Sequence, residues 1–258
     1  MSNQELDAIL NNPHEQLIYD NEQEEGVPAR GQPKGVIILL HGWDAGSNMD
    51  PGIAFQPVVD RARQLFEHQG YLVFAPKYNT HESFVFAAKH IHEFLQHSGW
   101  PLNNVHMFGY SMGGLVARQL AANGITPRSL VTFCTPNMGT AAWISNAALF
   151  NNGAMSMASW SQDLAKLNSN GRDQELRGTY QMIGLSYVVD AAGKDRHYND
   201  GIVEVASAIM WQVSPKPGMQ HHWTSCRVGP KPPFEPHGSA QTFPEIQPAF
   251  DQFCGLIH

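Results

Sequence analysis

The chain has 258 residues, 42% of them hydrophobic and 15% charged, with a formal net charge of −7. That size and apolar content support a large buried core, and the acidic balance without a basic run argues against nucleic acid or an anionic membrane as an electrostatic partner. No stretch approaches the roughly 18 consecutive apolar residues of a membrane span, and MSNQELDAILNNPHEQ at the N-terminus lacks the basic start and apolar centre of a secretory signal, so a cytoplasmic location is expected.

Residues 1–34 are polar, acidic and then punctuated by proline and glycine, which reads as an N-terminal arm. Residues 35–258 read as one domain. GVIILL (35–40) is a continuous β-branched run, the pattern of a strand buried on both faces. FQPVVDRARQLFEHQG (55–70) has apolar residues at helical spacing and ends in Gly70. The alternation repeats: strand YLVFAP (71–76), helix SFVFAAKHIHEFLQHSG (83–99), strand VHMFGY (105–110), helix MGGLVARQLAANG (112–124), strand LVTFCTP (130–136). Strands joined by helical crossovers predict an α/β fold with a mostly parallel sheet.

The rhythm breaks over 137–178, which is too long for a crossover loop and holds two short amphipathic stretches near 141–150 and 158–168. Long connections in compact domains are commonly lids or binding loops, so a lid or cap insertion is expected here. Its Trp143, Leu149, Phe150, Met155, Met157 and Trp160 would line an apolar acyl pocket or pack the insertion onto the sheet. TYQMIGLS (179–186) resumes the sheet, HHWTSCRVG (221–229) is its last strand, and FPEIQPAFDQFCGLI (243–257) is a closing helix.

Ser111 sits between a buried strand and a helix, in Gly109-Tyr110-Ser111-Met112-Gly113. A turn this tight admits only small residues two positions before and after the serine, and it lifts the hydroxyl to a helix N-terminus where amides and dipole favour a developing anion. The plainer reading is a serine N-cap on a glycine-rich turn. A nucleophilic serine needs a base oriented by an acid, in the chain order Ser, Asp or Glu, His. Asp190, Asp195 and Asp200 are candidate acids, and Asp200 is best placed because Gly201 permits a sharp turn after it. His237, in a loop between the last strand and the last helix, is favoured as base, with His222 as the alternative. In LLHGWDAG (39–46), His41-Gly42 turns the chain so that the Trp43 amide would face the Met112 amide as an oxyanion hole.

His90, His92 and His97 share one helix without a carboxylate or cysteine spacing that completes a zinc site, and no metal or cofactor is implied. Cys134 lies in an apolar run and reads as a buried thiol, whereas Cys226 and Cys254 pair only if their elements pack together.

These motifs together resemble the α/β-hydrolases, bacterial triacylglycerol lipases and esterases in particular. LLHGW resembles the family's oxyanion loop, GYSMGG its nucleophile elbow, TFCTPNMGT (132–140) its T-P-x-x-G-T stretch, and NDGIVEVAS (199–207) the segment bearing the triad acid. DLAKLN (163–168) is similar to a stretch of the same lipases' lid region. The resemblance implies an α/β-hydrolase fold and a carboxylic ester hydrolase. Ser111 would be its nucleophile, Asp200 its acid and His237 its base, with Trp43 and Met112 as oxyanion donors and Trp143, Phe150, Met155 and Trp160 at the substrate. A small-molecule or lipid ester, met at most by transient contact with a lipid interface, is the implied partner. A phospholipase, a thioesterase, an acyltransferase and a non-catalytic binding protein of the same fold are the competing readings.

Overall fold

A computed structural model describes residues 33–43, 51–140, 151–188, 196–197, 199–200, 202–213, 216–227, 237 and 246–257. Residues 1–32 of the arm expected at 1–34, the amphipathic stretch expected near 141–150, Trp143 and Phe150 lie outside them. Among the described residues no helix is long and apolar enough to cross a membrane.

The elements follow the predicted alternation. Strand β1 (Gly35–Leu40) leads to helix α1 (Pro51–Phe66), β2 (Tyr71–Phe74), α2 (Phe84–His97), β3 (Val105–Tyr110), α3 (Met112–Ala122) and β4 (Pro127–Phe133). Proline is tolerated at the start of α1 because the first turn of a helix has no partner for its N–H groups. Ser83 caps α2 by accepting from the Phe86 amide at 3.3 Å. After β4 come the short helices α4 (Asn152–Ser156), α5 (Gln162–Ser169) and α6 (Gly171–Leu176), then β5 (Tyr180–Val188), β6 (Arg196–His197), α7 (Val205–Ala208), β7 (Gln220–Arg227) and α8 (Gln247–Cys254).

Strands β1 to β5 and β7 form a parallel sheet in the order β2-β1-β3-β4-β5-β7. The two-residue β6 pairs antiparallel with Tyr187 and Val188 of β5. Since β7 runs along one edge of β5 over 181–188, β6 must sit on the edge that β4 leaves after Phe133.

The continuous apolar run of β1 serves both faces of the sheet. Val36, Ile38 and Leu40 pack with α2, α3 and the buried Leu164 and Leu167 of α5. Ile37 and Leu39 pack with Phe55, Val58 and Ala62 of α1 and Phe250 and Phe253 of α8. The sheet is therefore covered on both sides, as its unbroken hydrophobic strands require.

Part of the 137–178 segment is bound tightly to this frame. Arg118, in the middle of α3 and fully buried, forks onto Asp173 of α6 with Nε–Oδ1 at 3.1 Å and Nη2–Oδ2 at 2.8 Å. Arg177 reaches the same carboxylate at 2.8 Å, and the Tyr180 hydroxyl donates to it at 3.1 Å. Arg118 also donates to Asn137 and Asn168, so α3, α5, α6 and the stretch after β4 meet at one buried charge cluster. Cys254 is a free thiol.

Candidate active site

Ser111 directly follows β3 and directly precedes α3. Its backbone is left-handed, φ 53° and ψ −124°, a conformation that costs a non-glycine residue roughly 1–3 kcal/mol and persists only where its surroundings impose it. The Ser111 amide donates to the Phe133 carbonyl at 2.8 Å. The glycines beside it are required by close backbone approach. A Cβ on Gly109 would lie 2.5 Å from the Gly113 carbonyl oxygen, and one on Gly113 would lie 2.2 Å from that of Leu40. The serine does not serve as a side-chain cap for α3.

Its hydroxyl points elsewhere. Ser111 Oγ lies 2.8 Å from Nε2 of His237, and His237 Nδ1 lies 2.7 Å from Oδ2 of Asp200. All three residues are buried, at 5%, 7% and 1% exposure. A carboxylate can only accept, so the imidazole proton sits on Nδ1, and Nε2 is left with its lone pair toward the serine hydroxyl. The second oxygen of Asp200 is also occupied, accepting from the amides of Ile202 at 3.0 Å and Val203 at 2.7 Å. The Asp-Gly turn read in the sequence thus orients the carboxylate by its own backbone. This arrangement can take a proton from a hydroxyl and hold the resulting imidazolium.

His222, the alternative base, lies on β7, its Nε2 3.1 Å from Gln220 Oε1. His90, His92 and His97 lie on α2, with His97 Nδ1 2.7 Å from the Glu93 carbonyl and burial lowering the His92 pKa against the charge of Glu93. Asp190 and Asp195 lie outside the described residues.

The 41–43 loop lies against the serine. A Cβ on Gly42 would be 2.8 Å from the Tyr110 ring and 3.2 Å from Ser111 Cβ. Trp43 is half-buried and packs, as does Ile202, against Ala154 of α4, and its indole N–H is buried without a partner among the described residues. Met112 is the first residue of α3 and fully buried. Its amide therefore belongs to the first turn, where helix N–H groups have no partner within the helix. Met155 and Trp160 stand 51% and 58% exposed on the segment that adjoins Trp43 through Ala154.

Cys134, read from the sequence as a buried thiol, and two tyrosines given no role there also stand at the site. Cys134, buried and left-handed at φ 52°, brings its sulfur to within 4.8 Å of ligand atoms of Asp200 and His237. A thiophilic cation would find sulfur, nitrogen and oxygen donors there, but the 2.7 Å His237–Asp200 bond already engages two of them, which suits the site to proton transfer. Tyr78 and Tyr110 donate their hydroxyls to the carbonyls of His41 and His237. Burial raises both phenols' pKa values, with the charges of Cys134 and Asp200 adding to the effect on Tyr110. The acceptors of these two phenols lie far along the chain, where no local pattern signals them.

No protein-family model matches the sequence, and no curated protein matches it. Solved structures do match in shape. The mature lipase BlEst2 of Bacillus licheniformis is similar with a TM-score of 0.51 at 18% identity, over 87% of this chain and 96% of that one. The lin2722 product of Listeria innocua gives 0.51 at 13% identity, over 86% and 92%. Phospholipase PlaB of Legionella pneumophila gives 0.52 at 12% identity, over 70% of this chain and 46% of its own. Identities this low speak for architecture. With a parallel sheet covered on both faces and a strained serine at the strand-to-helix junction, the chain has the α/β-hydrolase fold.

Proposed function

We propose that the protein is a serine hydrolase that cleaves carboxylic esters through an acyl-enzyme. The observation that carries this is the buried relay Ser111–His237–Asp200, with links of 2.8 and 2.7 Å, built on a left-handed elbow. His237 Nε2 takes the hydroxyl proton as Ser111 Oγ attacks the ester carbonyl, and Asp200 holds the ring in the required tautomer. The amides of Trp43 and Met112 receive the oxyanion, one from the loop packed on Ser111 and one from the first turn of α3. The imidazolium protonates the departing alcohol, and water then repeats the sequence to release the acid.

Met155 and Trp160 are exposed apolar side chains of the segment whose Ala154 packs with Trp43, which supports an acyl chain or lipid-like ester over a small polar one. A phospholipase, a thioesterase or an acyltransferase would use the same relay with a different acyl donor or acceptor.

Labelling with a fluorophosphonate probe tests the chemistry: wild type is labelled and Ser111→Ala is not. An unlabelled wild type would sink the hydrolase reading in favour of a non-catalytic binding protein. Turnover of p-nitrophenyl esters of graded chain length, beside phospholipid and acyl-thioester substrates, then separates the substrate classes.

A further inference from the structure

We propose that Tyr78 and Tyr110 are positioning residues of this site, each phenol holding one wall of it in register with Ser111. The inference rests on the hydrolase reading and goes beyond it to two residues that no part of the relay requires. Tyr78, just past β2, donates to the carbonyl of His41, the residue that opens the 41–43 loop. Tyr110, the last residue of β3, donates to the carbonyl of His237 itself. Both acceptors lie outside the strands, in segments that the sheet ladder does not fix.

Each hydroxyl acts together with its ring. Tyr78 stacks on the His41 imidazole with centroids 4.2 Å apart and planes 7° from parallel. The Tyr110 ring lies 5.4 Å from that of His237, and it also limits how close Gly42 can come, since a Cβ there would lie 2.8 Å from the ring. Tyr110 therefore touches both the loop expected to hold the oxyanion and the base, from the position next to the nucleophile. Burial holds both phenols protonated, so they remain donors at any ordinary pH.

A buried phenol finds some acceptor in any fold. What distinguishes these two is the acceptor: one carbonyl two residues before the Trp43 amide, and one on the base. Losing the Tyr78 hydrogen bond frees the loop to shift the Trp43 amide. Losing that of Tyr110 frees the His237 ring to drift from Ser111 Oγ. Displacements of about 1 Å at a reacting centre can cost on the order of 10²-fold in rate, so a loosened bond that leaves the ring in place is expected to cost about 10-fold.

Tyr78→Phe, Tyr110→Phe and the double variant test this, since phenylalanine keeps both ring contacts and removes only the hydroxyl. The measurements are kcat and KM for a p-nitrophenyl ester, the fluorophosphonate labelling rate, and the thermal midpoint. Each single variant is expected to lose about 10-fold in kcat and in labelling rate with KM within two-fold, because the interaction serves the reacting geometry rather than ground-state binding. The double variant should lose about 10²-fold, as the two phenols act on separate walls. If kcat and labelling stay within two-fold of wild type, whatever the thermal midpoint does, the phenols only fill the core and the proposal fails while the hydrolase reading stands. A wild type that neither labels nor turns over defeats both.

Discussion

Replacing Asp200 by asparagine changes one atom and should nearly abolish turnover. In the native site, Oδ1 of Asp200 accepts from the Ile202 amide at 3.0 Å and the Val203 amide at 2.7 Å, while Oδ2 faces His237 Nδ1 at 2.7 Å. An asparagine has one acceptor oxygen for these two sides. Its carbonyl must face the two amides, because turning its NH2 toward them would set donors against donors in a buried place. The NH2 then faces Nδ1 and donates to it, which drives the ring proton to Nε2. Nε2–H would donate to Ser111 Oγ at the atom where it must accept, so the base is in the wrong tautomer although every heavy atom stays in place. The expected loss in kcat is about 10⁴-fold, equivalent to about 5.5 kcal/mol of barrier. Because both backbone amides keep their acceptor, the thermal midpoint should move by only a few degrees. Steady-state ester hydrolysis on folded protein reads the first quantity and thermal unfolding the second. An asparagine variant within 10-fold of wild type would refute the reasoning.

Other expectations follow from the same geometry. His237→Ala should abolish turnover while His222→Ala, whose native ring faces Gln220 on β7, spares it, and the reverse result would overturn the choice of base. Asp173→Ala leaves the buried Arg118 and Arg177 without their carboxylate, so stability should fall by about 3–5 kcal/mol. At about 2–4 °C per kcal/mol for a chain of this size, the thermal midpoint should drop by roughly 6–20 °C, and a drop under about 3 °C would contradict the placement of that cluster. The Cys254 thiol is pushed up to about 12 by burial, with the charge of Asp251 adding and that of Arg61 opposing. Only the thiolate reacts, so alkylation of Cys254, followed peptide by peptide in a mass spectrometer, should speed up about ten-fold per pH unit from pH 7 to 10. A plateau below pH 10 would be inconsistent with that environment.

The fold was legible because its signal is local. GVIILL, VHMFGY and LVTFCTP are runs that only a doubly covered strand explains, and each is followed or preceded by a stretch of helical spacing. Ser111 was legible for the same reason, since the requirement for glycine at 109 and 113 comes from residues within a few positions and from β1. Asp200 could be read from the glycine after it. Boundaries shifted where the signal was tertiary. β4 runs from Pro127 to Phe133 rather than over 130–136, because the chain turns at left-handed Cys134. The helix expected at 158–168 begins only at Gln162, after Ser161 caps it by accepting from the Leu164 amide at 3.3 Å. Arg118 was hidden in an apolar helix face, where a sequence pattern gives no hint that its partner lies 55 residues further on. The acceptors of Tyr78 and Tyr110, 37 and 127 residues away, are hidden in the same way.

The strain at Ser111 and the cluster around Arg118 belong to one mechanical problem. A left-handed serine would relax if α3 could rotate or slide, because the conformation costs roughly 1–3 kcal/mol. At its N-terminal end the helix is stopped by the bond from the Ser111 amide to Phe133 and by Gly113 wedged against the carbonyl of Leu40. Seven residues on, Arg118 is clamped by Asp173 and reaches Asn137, whose own amide donates to the Ala208 carbonyl at 2.6 Å. Ala208 ends α7, the helix that follows the turn orienting Asp200. The stretch after β4 is fixed to the same helix again, with Ser207 donating to the Gly139 carbonyl at 2.6 Å. The helix behind the serine and the loop behind the acid are thus tied to each other through Asn137. The distance from Ser111 to Asp200 is thereby held by buried polar contacts through Asn137 as well as by the histidine between them.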